Sequence, residues 1–311
     1  VVIPRFSIII PNFNKASYLE NSINSVLLQT FKNWECIIID DHSTDSSWEI
    51  IEGYANKDHR IKPFKRPRNR KKGGNAARNY GIQLAKGEFV ALLDSDDIWG
   101  PNRLELALQF LTSNNIEALF SGAIVVSKNY TQKLSSRNIR DGESIFDFIL
   151  SDDVFCPTPS FILRRELAQE ILFDEDLKRH QDYDFFIRAH MKKAWSYFEN
   201  FDVKVNWVRD DLKVINYRDC IPFYEKHWEK SKNEQIRHKY IVRITSSSIR
   251  ESFNNNVAKY YRNILKNEGY RFSFQEYIMF FFPYIFFVLS KFKWFTLGAF
   301  NKLGISQNLK N

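Results

Sequence analysis

Cysteine is scarce in this chain: 3 residues of 311, Cys36, Cys156 and Cys220, widely spaced, odd in number and without a C-x-x-C pair. A disulfide framework and a thiolate metal site are therefore excluded, and the thiols read as reduced cysteines of a cytosolic chain. Long apolar runs are lacking too. The most apolar stretch, Tyr277 to Leu289, is interrupted by Pro283 and falls short of the about 20 residues a spanning helix needs. No charged n-region with a cleavable apolar stretch precedes the first strand-like segment, so a secretory signal is not expected. There is no internal repeat, no low-complexity linker, and no Gly-rich, Lys-bearing loop near the N-terminus that could cradle a triphosphate. His59, His190, His227 and His238 show no ligand spacing.

What is present is ordinary globular usage, 44% hydrophobic and 26% charged, with enough length for one large α/β domain and a smaller appendage. The formal charge of +8 favours anionic partners without naming them. Aromatic residues reach 16%, with many of the 28 Phe in the last third.

From Phe6 to about Leu111, short apolar β-branched runs alternate with amphipathic stretches, as successive βα units of an open parallel sheet do. Strands are expected at Phe6–Ile10, Cys36–Ile39, Ile61–Phe64 and Phe89–Leu93, the last wholly apolar and therefore central. Leu19, Ile23, Val26 and Leu27 form one helical stripe, and further helices are expected around Trp48 to Tyr54, Asn75 to Ala85 and Leu104 to Leu111. The middle of the chain offers strands at Ala123–Ser127, Phe161–Leu163 and Val203–Val208, and helices at Phe146–Leu150, Leu167–Leu172 and Asp182–His190. From about Tyr217 the sequence is helical and aromatic-rich, so the expected division is an α/β domain over 1–215 and a helical region over 216–311.

In an open α/β sheet, ligands sit beyond the carboxyl ends of the strands, and three of these ends are polar. Asp94, Asp96 and Asp97 follow the central strand. Their mutual repulsion raises their pKa values unless a cation neutralises them, and hard oxygen ligands suit Mn²⁺ or Mg²⁺ completed by substrate phosphates. An acidic cluster at a helix N-terminus is the competing reading, strongest for Asp97. After the second strand, Asp41 suits a ligand role, because a carboxylate can accept the imide N–H of uracil or thymine, while Asp45 suits a helix cap. The basic run Lys65, Arg66, Arg68, Arg70, Lys71 and Lys72 reads equally as a mobile solvated loop or as a phosphate or lipid contact.

Six segments occur in one order: Ser7-Ile-Ile-Ile-Pro-Asn-Phe-Asn14, Ser25-Val-Leu-Leu-Gln-Thr-Phe-Lys-Asn-Trp-Glu35, Ile39-Asp-Asp-His-Ser-Thr-Asp45, Gly74-Asn-Ala-Ala-Arg-Asn79, Ala85-Lys-Gly-Glu-Phe89 and Leu93-Asp-Ser-Asp-Asp-Ile-Trp99. Together they resemble the signature of the family 2 glycosyltransferases with the GT-A fold, a mixed, mostly parallel sheet flanked by helices. The resemblance implies that Asp94 and Asp96 are the D-x-D pair, Asp96 as direct metal ligand and Asp94 near the ribose or the metal, with Ser95 between them on the donor side. It implies that Asp41 reads the base and that Pro11 and Phe13 line its pocket, Phe13 standing where Tyr is frequent. Arg78 matches the position that reaches the phosphates or braces the acidic motif, and His42 stands where Gly or Asn is usual. In His180-Gln-Asp-Tyr-Asp184, Asp182 matches the general base and Gln181 replaces the frequent Glu, with Asp184 as the competing assignment.

The implied activity is an inverting transfer of sugar from a nucleotide diphosphate sugar, with uridine diphosphate favoured, to a glycan or lipid-linked glycan in surface polysaccharide synthesis. The nucleotide sugar is the expected anionic partner, and nucleic acid is not. Rival readings are a nucleotidyltransferase and a noncatalytic nucleotide-sugar-binding protein. The aromatic stretch 277–289, flanked by Lys291, Lys293 and Trp294, reads as an interfacial helix on anionic lipid at the cytoplasmic face of the inner membrane, against a core or homodimer helix.

Overall fold

Every residue of the first apolar run is buried, because strands pair with it on both sides. The computed structural model describes residues 3–207, 215–253 and 255–291, and the chain divides into two compact units, 1–209 and 210–311. The boundary expected at 215/216 lies close to this division. Val208, the expected end of one strand, lies outside the described residues.

In the first unit the elements run β1 (Phe6–Asn12), α1 (Ala16–Leu27), β2 (Trp34–Asp40), α2 (Ser47–Ala55), β3 (Ile61–Lys65), α3 (Gly74–Leu84), β4 (Phe89–Leu92), β5 (Ile98–Trp99), α4 (Arg103–Ser113), β6 (Ala118–Ser121), β7 (Ala123–Val126) and β8 (Thr131–Leu134). They continue as α5 (Ile145–Leu150), β9 (Ile162–Arg164), α6 (Arg165–Ile171), α7 (Gln181–His190), β10 (Trp195–Phe198) and β11 (Val203–Asn206). A seven-stranded sheet has the order β10-β6-β9-β4-β1-β2-β3. Pairs β1/β2, β2/β3, β1/β4 and β6/β10 are parallel, whereas β9 runs antiparallel to both β4 and β6. A smaller sheet, β5-β11-β7-β8, stands beside it.

Register decides where the chemistry can sit. Ile9 lies opposite both Ile37 and Leu92, and Asn12 opposite Asp40, so β1, β2 and β4 deliver their following loops to one edge. Close approach makes this possible at Gly87, where a Cβ would lie 2.5 Å from the Ser7 backbone nitrogen. The stripe Leu19, Ile23 and Val26 is fully buried against the sheet, as its spacing requires.

The two sheets share an unusual core residue. Arg103 is fully buried, and its guanidinium donates to Ser121 Oγ at 3.2 Å and the Ser160 carbonyl at 2.9 Å. Burial pulls it down to about 10, opposed by the charge of Asp202.

The second unit contains α8 (Ile221–His227), α9 (Glu234–Ser252), α10 (Asn255–Asn267) and α11 (Phe274–Phe281). Asn233 caps α9, and Ser273 with Glu276 forms a capping box on α11. Its core is aromatic: Tyr224 stacks on Tyr240 at 6.2 Å and meets Tyr261 edge-on at 5.4 Å. Helix α11 stops before Phe282, the residue ahead of Pro283, which proline biases out of the helical region. Helical backbone resumes at residue 283. Met279, Phe280 and Phe286 are buried, whereas Phe274, Tyr277, Phe282, Tyr284, Ile285 and Leu289 are exposed. Among the described residues, no helix is long and apolar enough to cross a membrane. Lys293 and Trp294 lie outside the described residues.

Candidate active site

The turn after β2 is tied to the end of β1 by Asp40. Its carboxylate accepts from Asn12 Nδ2 at 2.9 Å, from the Ser43 N–H at 3.0 Å and from Ser43 Oγ at 2.5 Å. With Asp40 spent on the turn, the next residue, Asp41, is left to face the edge. Arg66 Nε donates to one of its oxygens, and the Gly73 N–H donates to the other at 2.7 Å. Arg66 is therefore not a solvated loop residue: it is buried, and its Nη1 donates to the Pro67 and Arg70 carbonyls. Asp45 accepts from the Ser47 N–H and from the Ala16 N–H, both at 3.0 Å, and so bridges the starts of α2 and α1. Although burial opposes it, these bonds hold Asp45 below the usual carboxylate range.

Beyond β4 burial alternates along the chain. Asp94 and Asp96 are partly exposed, whereas Ser95 and Asp97 are buried. Arg78, from α3, donates from Nη2 to Asp94 Oδ1 at 2.5 Å, while Lys15 Nζ lies 2.7 Å from Asp96 Oδ2. Gly74 leaves room for that arginine, since a Cβ there would sit 3.1 Å from Arg78 Nη1. The buried Arg78 Nε has no hydrogen-bond partner among the described residues. Asp97 belongs elsewhere: its Oδ1 accepts the Asn206 N–H at 2.8 Å, and its carbonyl accepts from Ser22 Oγ at 2.6 Å. Burial, then the charges of Asp94 and Asp96, push Asp97 up to about 9. Helix α4 begins only at Arg103, so the dipole reading of Asp97 does not hold either.

The sequence gives one signal for Lys15. It occupies the N-cap position of α1, the positive end of a helix, where a cation is disfavoured. Such a local mismatch points to a duty elsewhere, here the charge of Asp96.

Phe13, just past β1, is 53% exposed, and Pro11, paired with Ile39 inside the sheet, is buried. From far downstream, α7 brings Asp182 and Asp184. Phe185, Phe186 and Ala189 are fully buried, which fixes the helix face. His180 enters α7 through left-handed backbone, φ 56°, with its ring stacked on Tyr183 at 4.9 Å. Asp184 is fully buried and bound by Arg188 Nε at 2.8 Å and Nη2 at 2.7 Å. The same guanidinium donates to the Ile171 and Leu172 carbonyls, closing the end of α6. Asp182 is different. Burial raises its carboxyl above the usual aspartate range, the Tyr183 N–H bond and Arg78 oppose this, and Asp94 adds to it. It thus lies within the electrostatic reach of Arg78 and Asp94.

The family model described as "Glycosyl transferase family 2" matches residues 7–172. The chain belongs to glycosyltransferase family 2. Within the family it is 34% identical over 198 residues to an uncharacterized glycosyltransferase of Rickettsia conorii, covering 61% of this chain and 31% of that protein. It thus spans about a third of that relative's length. It is 30% identical over 240 residues, 74% of this chain and 81% of the relative, to an uncharacterized glycosyltransferase of Methanocaldococcus jannaschii. An amylovoran biosynthesis glycosyltransferase of Erwinia amylovora is 31% identical over 192 residues, 59% of this chain and 63% of its own length. Among solved structures, S. aureus TarS 1–349 in complex with UDP-GlcNAc superposes with TM-score 0.59 at 21% identity, over 90% of this chain and 79% of that one. A Pyrobaculum calidifontis mannosyltransferase in complex with GDP-Man and Mn²⁺ gives 0.56 at 15% identity, over 86% and 80%. These likenesses show the fold, the GT-A arrangement expected for a family 2 chain.

The contrast between the two aspartates of α7 is testable. Asp184→Asn breaks a charge pair buried on one side and a quarter exposed on the other, and is expected to cost about 3 kcal/mol, the low end for such a pair, in urea denaturation. Unchanged stability in Asp184→Asn contradicts its assignment as a structural clamp.

Proposed function

We propose that this family 2 chain is an inverting glycosyltransferase acting in surface polysaccharide synthesis. It moves a hexosyl or N-acetylhexosaminyl group from a nucleotide diphosphate sugar, with uridine as the favoured base, to a hydroxyl of a glycan or lipid-linked glycan. The observation that carries this reading is the Arg78–Asp94 pair just beyond β4, with Asp182 of α7 within the electrostatic reach of both. Relatives named for polysaccharide synthesis and neighbours with bound UDP-GlcNAc or GDP-Man support it.

On the donor side, Asp41 accepts the imide N–H of the base, because a carboxylate offers about four acceptor sites and two are taken by Arg66 and Gly73. Phe13 supplies an exposed ring for stacking beside Pro11. Asp94, Ser95 and Arg78 hold the ribose and phosphate side, where the unpaired Arg78 Nε meets an anionic oxygen. A divalent cation, Mn²⁺ or Mg²⁺, fits the chemistry of Asp96 and Asp94, two hard carboxylates each with one oxygen turned to a protein cation and one left over. Among the described residues no cluster of three His, Cys, Asp or Glu that could hold a metal ion is found, so an ion held by Asp96 and Asp94 would take its further ligands from outside such a cluster. Such an ion, when bound, supplies Lewis-acid stabilisation of the departing diphosphate. Asp182 takes the proton of the acceptor hydroxyl as the oxygen bonds to the anomeric carbon, and nucleoside diphosphate leaves from the opposite face, inverting the centre.

Asp182→Asn is expected to fold and bind UDP like the parent while turnover falls about 10²-fold to 10⁴-fold, the usual worth of a positioned base. In the parent, turnover falls as the base protonates, on an acid limb above the ordinary aspartate value of about 3.9, because burial raises Asp182. That limb is absent in the variant. Full turnover in Asp182→Asn, or release of pyrophosphate rather than nucleoside diphosphate, contradicts the proposal.

The exposed aromatic side of residues 274–289 supports peripheral contact with anionic lipid at the cytoplasmic face of the inner membrane, a second copy of the chain being the competing occupant. The chain is expected to float with phosphatidylglycerol vesicles, and Tyr284→Ser with Leu289→Ser to weaken this. Absence from the vesicle fraction, with a dimer in solution, argues for the second copy.

A further inference from the structure

The second unit contains a cavity of about 460 Å³, at the lower end of the usual size for small-molecule sites. Tyr224 and Glu225 line it from α8, Trp228 from the following turn, Tyr260 and Asn267 from α10, and Glu268 from just beyond it. None of these residues takes part in the transfer chemistry proposed above.

The lining is held in place. Glu268 Oε2 is bound by His238 Nε2 at 2.6 Å and Arg237 Nη2 at 3.0 Å. Although burial opposes it, these bonds hold Glu268 below the usual carboxylate range. Glu225 Oε1 accepts from the Tyr260 hydroxyl at 2.9 Å. Each carboxylate therefore has one oxygen anchored. Tyr224 is fixed by its stack on Tyr240, whereas Trp228, 38% exposed, offers ring surface to an incoming group.

This chemistry discriminates among ligands. Two carboxylates repel a phosphate or an acidic peptide. A purely apolar ligand would strip water from Glu225, Asn267 and Glu268 without replacing the hydrogen bonds. An organic cation finds Glu268 already paired with Arg237 and His238, and the Arg237 guanidinium already 6.0 Å over the Trp228 ring. A neutral polyol with an apolar C–H face is the class that matches both halves of the lining, aromatic surface on one side and fixed acceptors with an amide on the other.

We propose that this cavity is a saccharide-binding subsite. Carbohydrate recognition stands on the cavity itself; its use, holding part of the acceptor glycan on a second unit, rests on the transferase reading above. Binding there adds avidity for a long acceptor without altering the transfer step.

The test uses the full chain, saturated with UDP, and saturation-transfer NMR with the methyl β-glycosides of glucose, galactose, mannose and N-acetylglucosamine. At least one glycoside is expected to receive saturation, and its affinity to fall about tenfold in Trp228→Ala, the scale of one good aromatic contact. Glu225→Gln, which keeps the shape, is expected to weaken binding in the same direction. UDP affinity and far-UV circular dichroism should match the parent in both variants. No glycoside binding, binding unaffected by both substitutions, or binding of tetramethylammonium in place of the glycosides overturns the proposal. Failure of the transferase reading is scored separately, by donor turnover in the same preparations.

Discussion

Three carboxylates within four residues, at the end of a buried strand, repel one another, and the first unit is organised around that repulsion. Each carboxylate is relieved differently. Asp97 is buried and raised toward its neutral form, accepting a backbone N–H from β11. Asp94 is met by Arg78 and Asp96 by Lys15, from the helices that follow β3 and β1. The first and third βα units thus each deliver a cation to the acidic rim.

The same arrangement supports the proposed use of the rim for a charged donor. Lys15 is partly exposed and its pair with Asp96 is worth little in stability, whereas Arg78 is buried beside Asp94. In the proposed reading, their value is to balance the two carboxylates before a nucleotide diphosphate binds. Asp41 follows a parallel logic, with Arg66 and Gly73 fixing its orientation while leaving acceptor capacity. On α7, Arg188 neutralises Asp184 and so leaves Asp182 as the carboxylate of that helix without a cationic clamp.

The parallel half of the fold was legible because β1, β2 and β4 are short, wholly buried apolar runs, and buried strands announce themselves by composition. Their ends, and with them Asp41, Asp94 and Asp96, followed directly. Strands β6 and β10 were not legible. Each has four residues, and their pairing partners lie far away in sequence, so neither alternation nor length distinguishes them from loop. The smaller sheet is similar: β5 has two residues, and exposed β8 carries no apolar signal. Within the site, Asp182 and Asp184 are separated by a local signal, Arg188 four residues after Asp184 on the same helix, an i,i+4 spacing that marks Asp184 as the paired carboxylate. Arg66 was hidden in a run of basic residues whose other members are mostly exposed. The cavity of the second unit combines side chains from two helices and two turns, a juxtaposition that no local pattern encodes.

Calorimetric titration of the full chain with UDP, in the presence and absence of Mn²⁺, tests most directly whether this rim holds a nucleotide diphosphate through a metal. The account predicts that Mn²⁺ strengthens binding and that Asp96→Ala removes the gain. Equal affinity with and without the ion, or an undiminished gain in Asp96→Ala, would contradict it.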